Sequence, residues 1–87
     1  MAGTLVSRYC LTVRGHNLEL FPIDEENYSV IIDGDYEAPF AGFRAAHRNA
    51  VKRLADRDTF SDEVRSAASD LQNWAVESVD VFDPEGN

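Results

Sequence analysis

The sequence is rich in carboxylates but holds few of the side chains that usually carry out catalysis or bind metals. His16 and His47 are its two histidines, and Cys10 is its one cysteine. Neither histidine has a second His or a Cys at the spacing that a zinc site uses, and no signature of a nucleophilic cysteine surrounds Cys10. The glycines are isolated from one another, so there is no glycine-rich phosphate loop. We therefore expect a protein that is not an enzyme, with no catalytic residue, no metal site and no cofactor.

Three alternating carboxylates form the most informative pattern. In an extended segment, Asp33, Asp35 and Glu37 would share one face at a spacing of about 6.6 Å. This acidic row is similar to the phosphates of a nucleic-acid strand and would suit a protein surface that normally holds DNA or RNA. Tyr36 is an aromatic residue of the kind that anchors interfaces. With the acidic run that precedes the row, the predicted partner-binding residues are Asp24, Glu25, Glu26, Asp33, Asp35, Tyr36 and Glu37.

Two other interpretations of these carboxylates stay open. Most charge runs are simply the solvated face of a domain, and Gly34 between two Asp residues is ordinary turn chemistry. Adaptation to high salt also produces chains that are rich in Asp and poor in Lys.

The net charge bears on the kind of partner. Sixteen acidic against eight basic residues give −8, which repels nucleic acids and anionic membranes at long range. We expect a protein partner with a basic, nucleic-acid-binding surface. Arg44, Arg48 and Lys52, spaced four apart on a predicted helix, are either a solvated face or a contact surface for an acidic partner or a second copy in a homodimer.

Length and cysteine content limit the class of protein. A chain of 87 residues supports one core, so we expect a single domain over residues 1–87 with residues 83–87 frayed. No stretch approaches the roughly 18–20 apolar residues of a membrane span, and the start of the chain lacks a secretory signal. With one cysteine, these features predict a soluble protein of the cytoplasm.

Periodicity predicts the elements that position these residues. Apolar residues alternate along the first strand, and Gly15-His16-Asn17 marks a turn. Further strands are predicted at 18–21 and 28–32, and the segments 36–38 and 79–82 are candidates for one further short strand. A helix is predicted from Pro39 or Ala41 to Asp56. A second helix, with Ser61 as its N-cap, is predicted through Trp74.

These elements predict a two-layer α+β domain, in which an antiparallel sheet of three or four strands is packed on one face by two α-helices. The predicted core residues are Leu5, Tyr9, Leu11, Val13, Leu20, Val30, Ile32, Phe43, Leu54, Val64, Leu71 and Trp74.

A short, acidic, cysteine-poor chain with β-β-β-α-α order and no catalytic motif resembles the small phage-encoded anti-CRISPR proteins. The resemblance covers the whole chain in size, charge and layout, and no residue carries over by position because those proteins share no motif. It implies a stoichiometric inhibitor in the host cytoplasm that blocks nucleic-acid or nuclease access, with the acidic row facing Lys and Arg on its target. The alternatives are a small oligomeric or regulatory subunit of antitoxin-like kind, or a salt-adapted domain.

Overall fold

The computed structural model describes residues 4–81, which form one antiparallel sheet and a layer of two α-helices. A short 3-10 helix, Leu71–Asn73, precedes the last strand. In chain order the other elements are β1 (Thr4–Val13), β2 (His16–Pro22), β3 (Asn27–Ile32), β4 (Asp35–Ala41), α1 (Phe43–Ala55), α2 (Asp62–Ser69) and β5 (Ala75–Val81).

The sheet has the order β4-β3-β2-β1-β5, and all neighbours are antiparallel. Two-residue turns join β1 to β2 and β3 to β4, with positive φ at Arg14 and Gly15 and at Asp33 and Gly34. Positive φ at both central residues matches the right-handed twist of a hairpin, which favours Gly at the second position. The turn predicted at Asp33-Gly34 is confirmed.

Both helices pack on the same face of the sheet. α1 approaches the sheet closely because Ala46 and Ala50, which face it, are small, and Leu54 extends the buried stripe. Ser61 caps α2, since its Oγ accepts a hydrogen bond from the Val64 amide at 3.4 Å. The core comprises Leu18, Leu20, Tyr28, Val30, Ile32, Ala46, Ala50, Leu54, Phe60, Val64, Ala68 and Trp74.

The predicted fold class is confirmed, with a sheet of five strands in the described residues instead of three or four. β4 runs on through Ala41, which pairs with Asn27, so α1 begins at Phe43, later than predicted. The predicted residue 82 of the last strand and the frayed residues 83–87 lie outside the described residues.

Leu5 was predicted to be a core residue, and this is wrong, because its side chain is 69% exposed. β1 pairs with β2 only from Tyr9 onward, and the residues before it pair with β5. Leu5 therefore lies in a two-stranded ribbon, and its exposure indicates that the helices do not cover this part of β1. The other predicted core residues are buried or pack against the core.

The second helix is shorter than predicted. α2 ends at Ser69, because Asp70 is extended and its carboxylate accepts a hydrogen bond from the Gln72 amide at 3.0 Å. Trp74 is nevertheless buried, as predicted, since its indole folds back and donates to the Ala68 carbonyl at 3.0 Å. The apolar residues therefore keep the spacing of a helix up to Trp74, although the helix itself ends at Ser69.

Candidate protein interface

Two carboxylates of the acidic row share a face, as predicted, but they bind cations of the same chain. Asp35 and Glu37 oppose Ile32 and Val30, so both lie on the helix side of the sheet. Arg53 of α1 reaches both, with Nη2 3.2 Å from Asp35 Oδ2 and Nη1 3.3 Å from Glu37 Oε1. Its side chain is only 14% exposed. The two acids therefore fasten the edge strand β4 to α1.

The Asp35 carboxylate has a second cation, because Arg57 Nη2 lies 3.2 Å from the same Oδ2 atom. Two guanidinium groups thus neutralise much of the charge that the sequence pattern assigned to a partner. The carboxylates of Asp35 and Glu37 remain 58% and 54% exposed, so both still contribute to the field at this edge.

Asp33 is separate from the other two acids, because it lies in the β3–β4 turn. Its Oδ2 is 2.7 Å from His16 Nδ1, and its Oδ1 accepts from the Asn17 amide at 2.8 Å. The hydrogen bond with His16 lowers the pKa of Asp33, and the Asn17 amide adds to the effect. This carboxylate ties the two hairpins together.

Tyr36 points the other way. Tyr36 pairs with Ile31, and Ile31 pairs with Glu19. Glu19 pairs with Cys10, and Cys10 pairs with Ala75. This row crosses all five strands on the side of the sheet away from the helices, which we call the uncovered face. Tyr36 is 61% exposed at its edge. Three other aromatic residues, Tyr28, Phe40 and Trp74, belong to the core or pack against it.

One cation lies in the middle of the uncovered face. Arg8 Nε is 2.5 Å from Glu19 Oε2, and Nη1 also contacts Glu77. The hydrogen bond with Glu19 raises the pKa of Arg8. Its guanidinium carbon lies 5.9 Å from the centre of the Phe21 ring, at cation–π distance. Two acids against one cation leave this part of the face negative.

The acidic turn, residues 24–26, lies between β2 and β3, and all three side chains are exposed. Asp24 accepts from the Glu26 and Asn27 amides at 2.8 and 2.7 Å, which closes the turn. Hydrogen bonds from the Asn27 side chain and from these amides lower the pKa of Asp24. Ile23, directly before the turn, is 41% exposed, so carboxylates and an apolar side chain lie together at this end of the sheet.

The sequence reasoning missed Phe21, Ile23 and Glu19 as surface candidates. Leu18 and Leu20 face the core, so the alternation of β2 already placed Glu19 and Phe21 on the opposite face. An aromatic residue on the outer face of a half-buried strand was the available signal.

Both histidines have structural partners. His47 Nε2 lies 2.8 Å from the Ala68 carbonyl, which can only accept, so this nitrogen carries the proton. His16 binds Asp33 and packs edge-on against Phe60. Cys10 is partly buried on the uncovered face, where the residues lining its shallow depression of ≈ 350 Å³ include no histidine.

Within residues 4–81, no three side chains of His, Cys, Asp or Glu are grouped so that they could hold a metal ion. In the same part of the chain, no helix is both long and apolar enough to cross a membrane. Comparison of the chain with protein-family models, with curated proteins and with solved structures found no match.

Proposed function

We propose that this chain is a non-catalytic protein-binding module that docks the uncovered face and the acidic turn on a basic surface of another protein. The observation that supports this best is the exposure of Tyr36 beside Ile31, on a sheet face that no helix of the described residues covers. Tyr is enriched among the residues that contribute most to binding energy at interfaces.

The chemistry of the surface supports a basic partner. Its apolar part consists of Tyr36, Ile31 and Phe21, with Glu19 beside them on the central strand β2 and the acidic turn at one end of the sheet. Interfaces commonly combine aromatic and other apolar side chains with charged residues at the rim, and the acidic turn would form such a rim here. With a net charge of −8, the whole chain would also accelerate its encounter with a positively charged partner.

The specific form of the proposal is a stoichiometric inhibitor of a nucleic-acid-handling bacterial defence complex, in keeping with the resemblance to anti-CRISPR proteins. Such a complex holds DNA or RNA in a positively charged channel, which is complementary in charge to the uncovered face and the acidic turn. In this account Tyr36 and the acidic turn contact the target directly. Asp35 and Glu37 act mainly by holding β4, and the part of their charge that remains exposed adds to the negative field.

The test is the affinity for purified CRISPR effector complexes, measured by biolayer interferometry at low and high salt. Tyr36→Ser should weaken binding about tenfold or more, and Glu26→Gln should reduce both the affinity and its salt dependence. Val76→Ser is the matched control for the aromatic residue, since Val76 is 57% exposed and opposes Tyr9, on the other side of the sheet.

Asp58→Asn is the matched control for charge, because Asp58 is exposed in the loop between the helices. Equal losses from the test and control variants would contradict the surface assignment. If wild-type protein binds none of the complexes, the inhibitor proposal is wrong.

A further inference from the structure

A second charged surface lies on the helix layer, away from the uncovered face. Arg44, Arg48 and Lys52 follow one another at intervals of four residues along α1, so their Cα atoms are about 6 Å apart along the helix axis. They border a groove of ≈ 460 Å³ between α1 and the segment after α2. We call this the basic groove, and its other lining residues are His47, Val51, Ser69 and Leu71.

The cations of the basic groove differ from the other basic residues of the chain. Each of the five others lies within ion-pair distance of a carboxylate: Arg8, Arg14, Arg53, Arg57 and Arg65. Among the side chains that the structure describes, no carboxylate pairs with Arg44, Arg48 or Lys52. In a chain with sixteen acids, three neighbouring cations without such a partner form a local positive site.

The walls of the basic groove are held by contacts within the domain. His47 donates to the Ala68 carbonyl at 2.8 Å, and its ring packs edge-on against Trp74 with the centroids 5.8 Å apart. The Arg44 guanidinium carbon lies 5.2 Å from the centre of the Phe43 ring. Val51 and Leu71 supply apolar surface between these walls. A ligand would therefore meet three exposed cations beside an apolar strip, in a groove whose His47 wall is held in place.

We infer that the basic groove binds an extended, acidic peptide segment of a partner protein in which carboxylates alternate with apolar side chains. Side chains on one face of an extended peptide repeat at about 6.6 Å, close to the spacing of the three cations. The carboxylates would face Arg44, Arg48 and Lys52, while the apolar side chains would pack on Val51 and Leu71.

Two other occupants fit less well. Nucleic acid is disfavoured chiefly by the net charge of −8, and the lining residues include no Phe, Tyr or Trp to serve as a stacking platform. A second copy of the chain would bring a further −8 into the contact. The inference is independent of the proposed function, because α1 lies on the opposite side of the sheet from Tyr36. If both hold, one module joins a basic and an acidic protein surface.

Fluorescence anisotropy with a short fluorescein-labelled peptide of alternating Asp and Leu tests the inference. Changing Arg48→Gln and Lys52→Gln together should weaken binding about tenfold at low salt, whereas Arg48→Lys should retain it. The control is Arg14→Gln, which removes an equal charge per residue from a side chain that is 67% exposed in the β1–β2 turn. Circular dichroism would confirm that each variant is folded.

Two further probes distinguish recognition of the peptide carboxylates from nonspecific binding. A peptide of alternating Asn and Leu should bind at least about tenfold more weakly than the acidic one, and a single-stranded oligothymidine should bind more weakly still. Equal binding of the Asn peptide, tighter binding of oligothymidine, or an equal loss in Arg14→Gln would overturn the inference. So would self-association in sedimentation velocity that Arg48→Gln and Lys52→Gln abolish, because it would assign the groove to a second copy.

Discussion

Removal of the Asp35 and Glu37 charges should destabilise the fold, because both carboxylates form ion pairs with Arg53. Asp35→Asn with Glu37→Gln would leave a guanidinium that is 14% exposed without its charge partners. Exposed ion pairs contribute about 0.2–1 kcal/mol each, and stranding one member of a fully buried pair costs about 3–5 kcal/mol. Since Arg53 is mostly buried and its partners are half exposed, we expect a loss of about 2 kcal/mol.

Arg53→Met should cost less, about 1 kcal/mol, because the two carboxylates can be hydrated and Arg57 still contacts Asp35. Combining all three changes should then cost less than the sum of the separate losses, which is the signature of coupled groups. This inequality follows from the difference in burial between the cation and its partners.

Urea unfolding followed by circular dichroism and by the fluorescence of Trp74 measures these differences. Trp74 is the one tryptophan and is 4% exposed, so its emission reports loss of the core. If the double carboxylate change alters the free energy of unfolding by less than about 0.3 kcal/mol, the acids do not hold β4, and the structural reasoning fails. The acidic row would then be free to face a partner, as the sequence pattern suggested.

Other substitutions should each change the stability of the fold by removing one contact. Tyr28→Phe should lower the free energy of unfolding by about 1 kcal/mol, since the Tyr28 hydroxyl donates to the Ser7 carbonyl at 2.5 Å; an unchanged urea midpoint would contradict this. Ser61→Ala should cost about 1 kcal/mol by the same assay, because it removes the cap of α2. In acid titration, Asp33 has a folded pKa below its unfolded value of about 3.9, so its stabilisation is present above that value and is lost as the pH falls through the folded pKa. Asp33→Asn should therefore flatten the acid limb of the stability profile, and a parallel profile would refute the contribution of the Asp33 carboxylate to stability. Low salt should leave the circular dichroism spectrum native, because many carboxylates have cations of their own chain; unfolding there would favour the salt-adapted alternative.

The layers of the fold were predictable because the apolar alternation, the turn residues and the helix cap in the sequence match the elements that form. Leu18 and Leu20 alternate with outer residues along β2, Gly34 supports a positive-φ turn, and Ser61 starts α2. The prediction for Leu5 failed because alternation shows which residues share a face but not how far the helix layer extends over it. The end of α2 was missed because the carboxylate of Asp70 caps the following turn.

The charge balance of the candidate surface was only partly predictable, because it depends on how α1 is rotated on the sheet. Arg53 and Arg57 face β4 whereas Arg48 and Lys52 face the basic groove, although all four lie within ten residues on or just after one helix. The rotation of α1 on the sheet decides which carboxylates are neutralised, and composition cannot reveal it. The assignment of Tyr36 and the acidic turn to a partner stays a prediction, and the sequence pattern could not show that Asp35 and Glu37 have cations of their own chain.

Hydroxyl-radical footprinting tests the central claim most directly, because oxidation rates report the exposure of individual side chains. The protein would be oxidised alone and in the presence of saturating purified CRISPR effector complex. We expect protection of Tyr36 and Phe21, which are 61% and 39% exposed, with Leu5, at 69%, oxidised at an unchanged rate as the internal control. Protection confined to the α1 side, or equal rates with and without the complex, would contradict docking through the uncovered face.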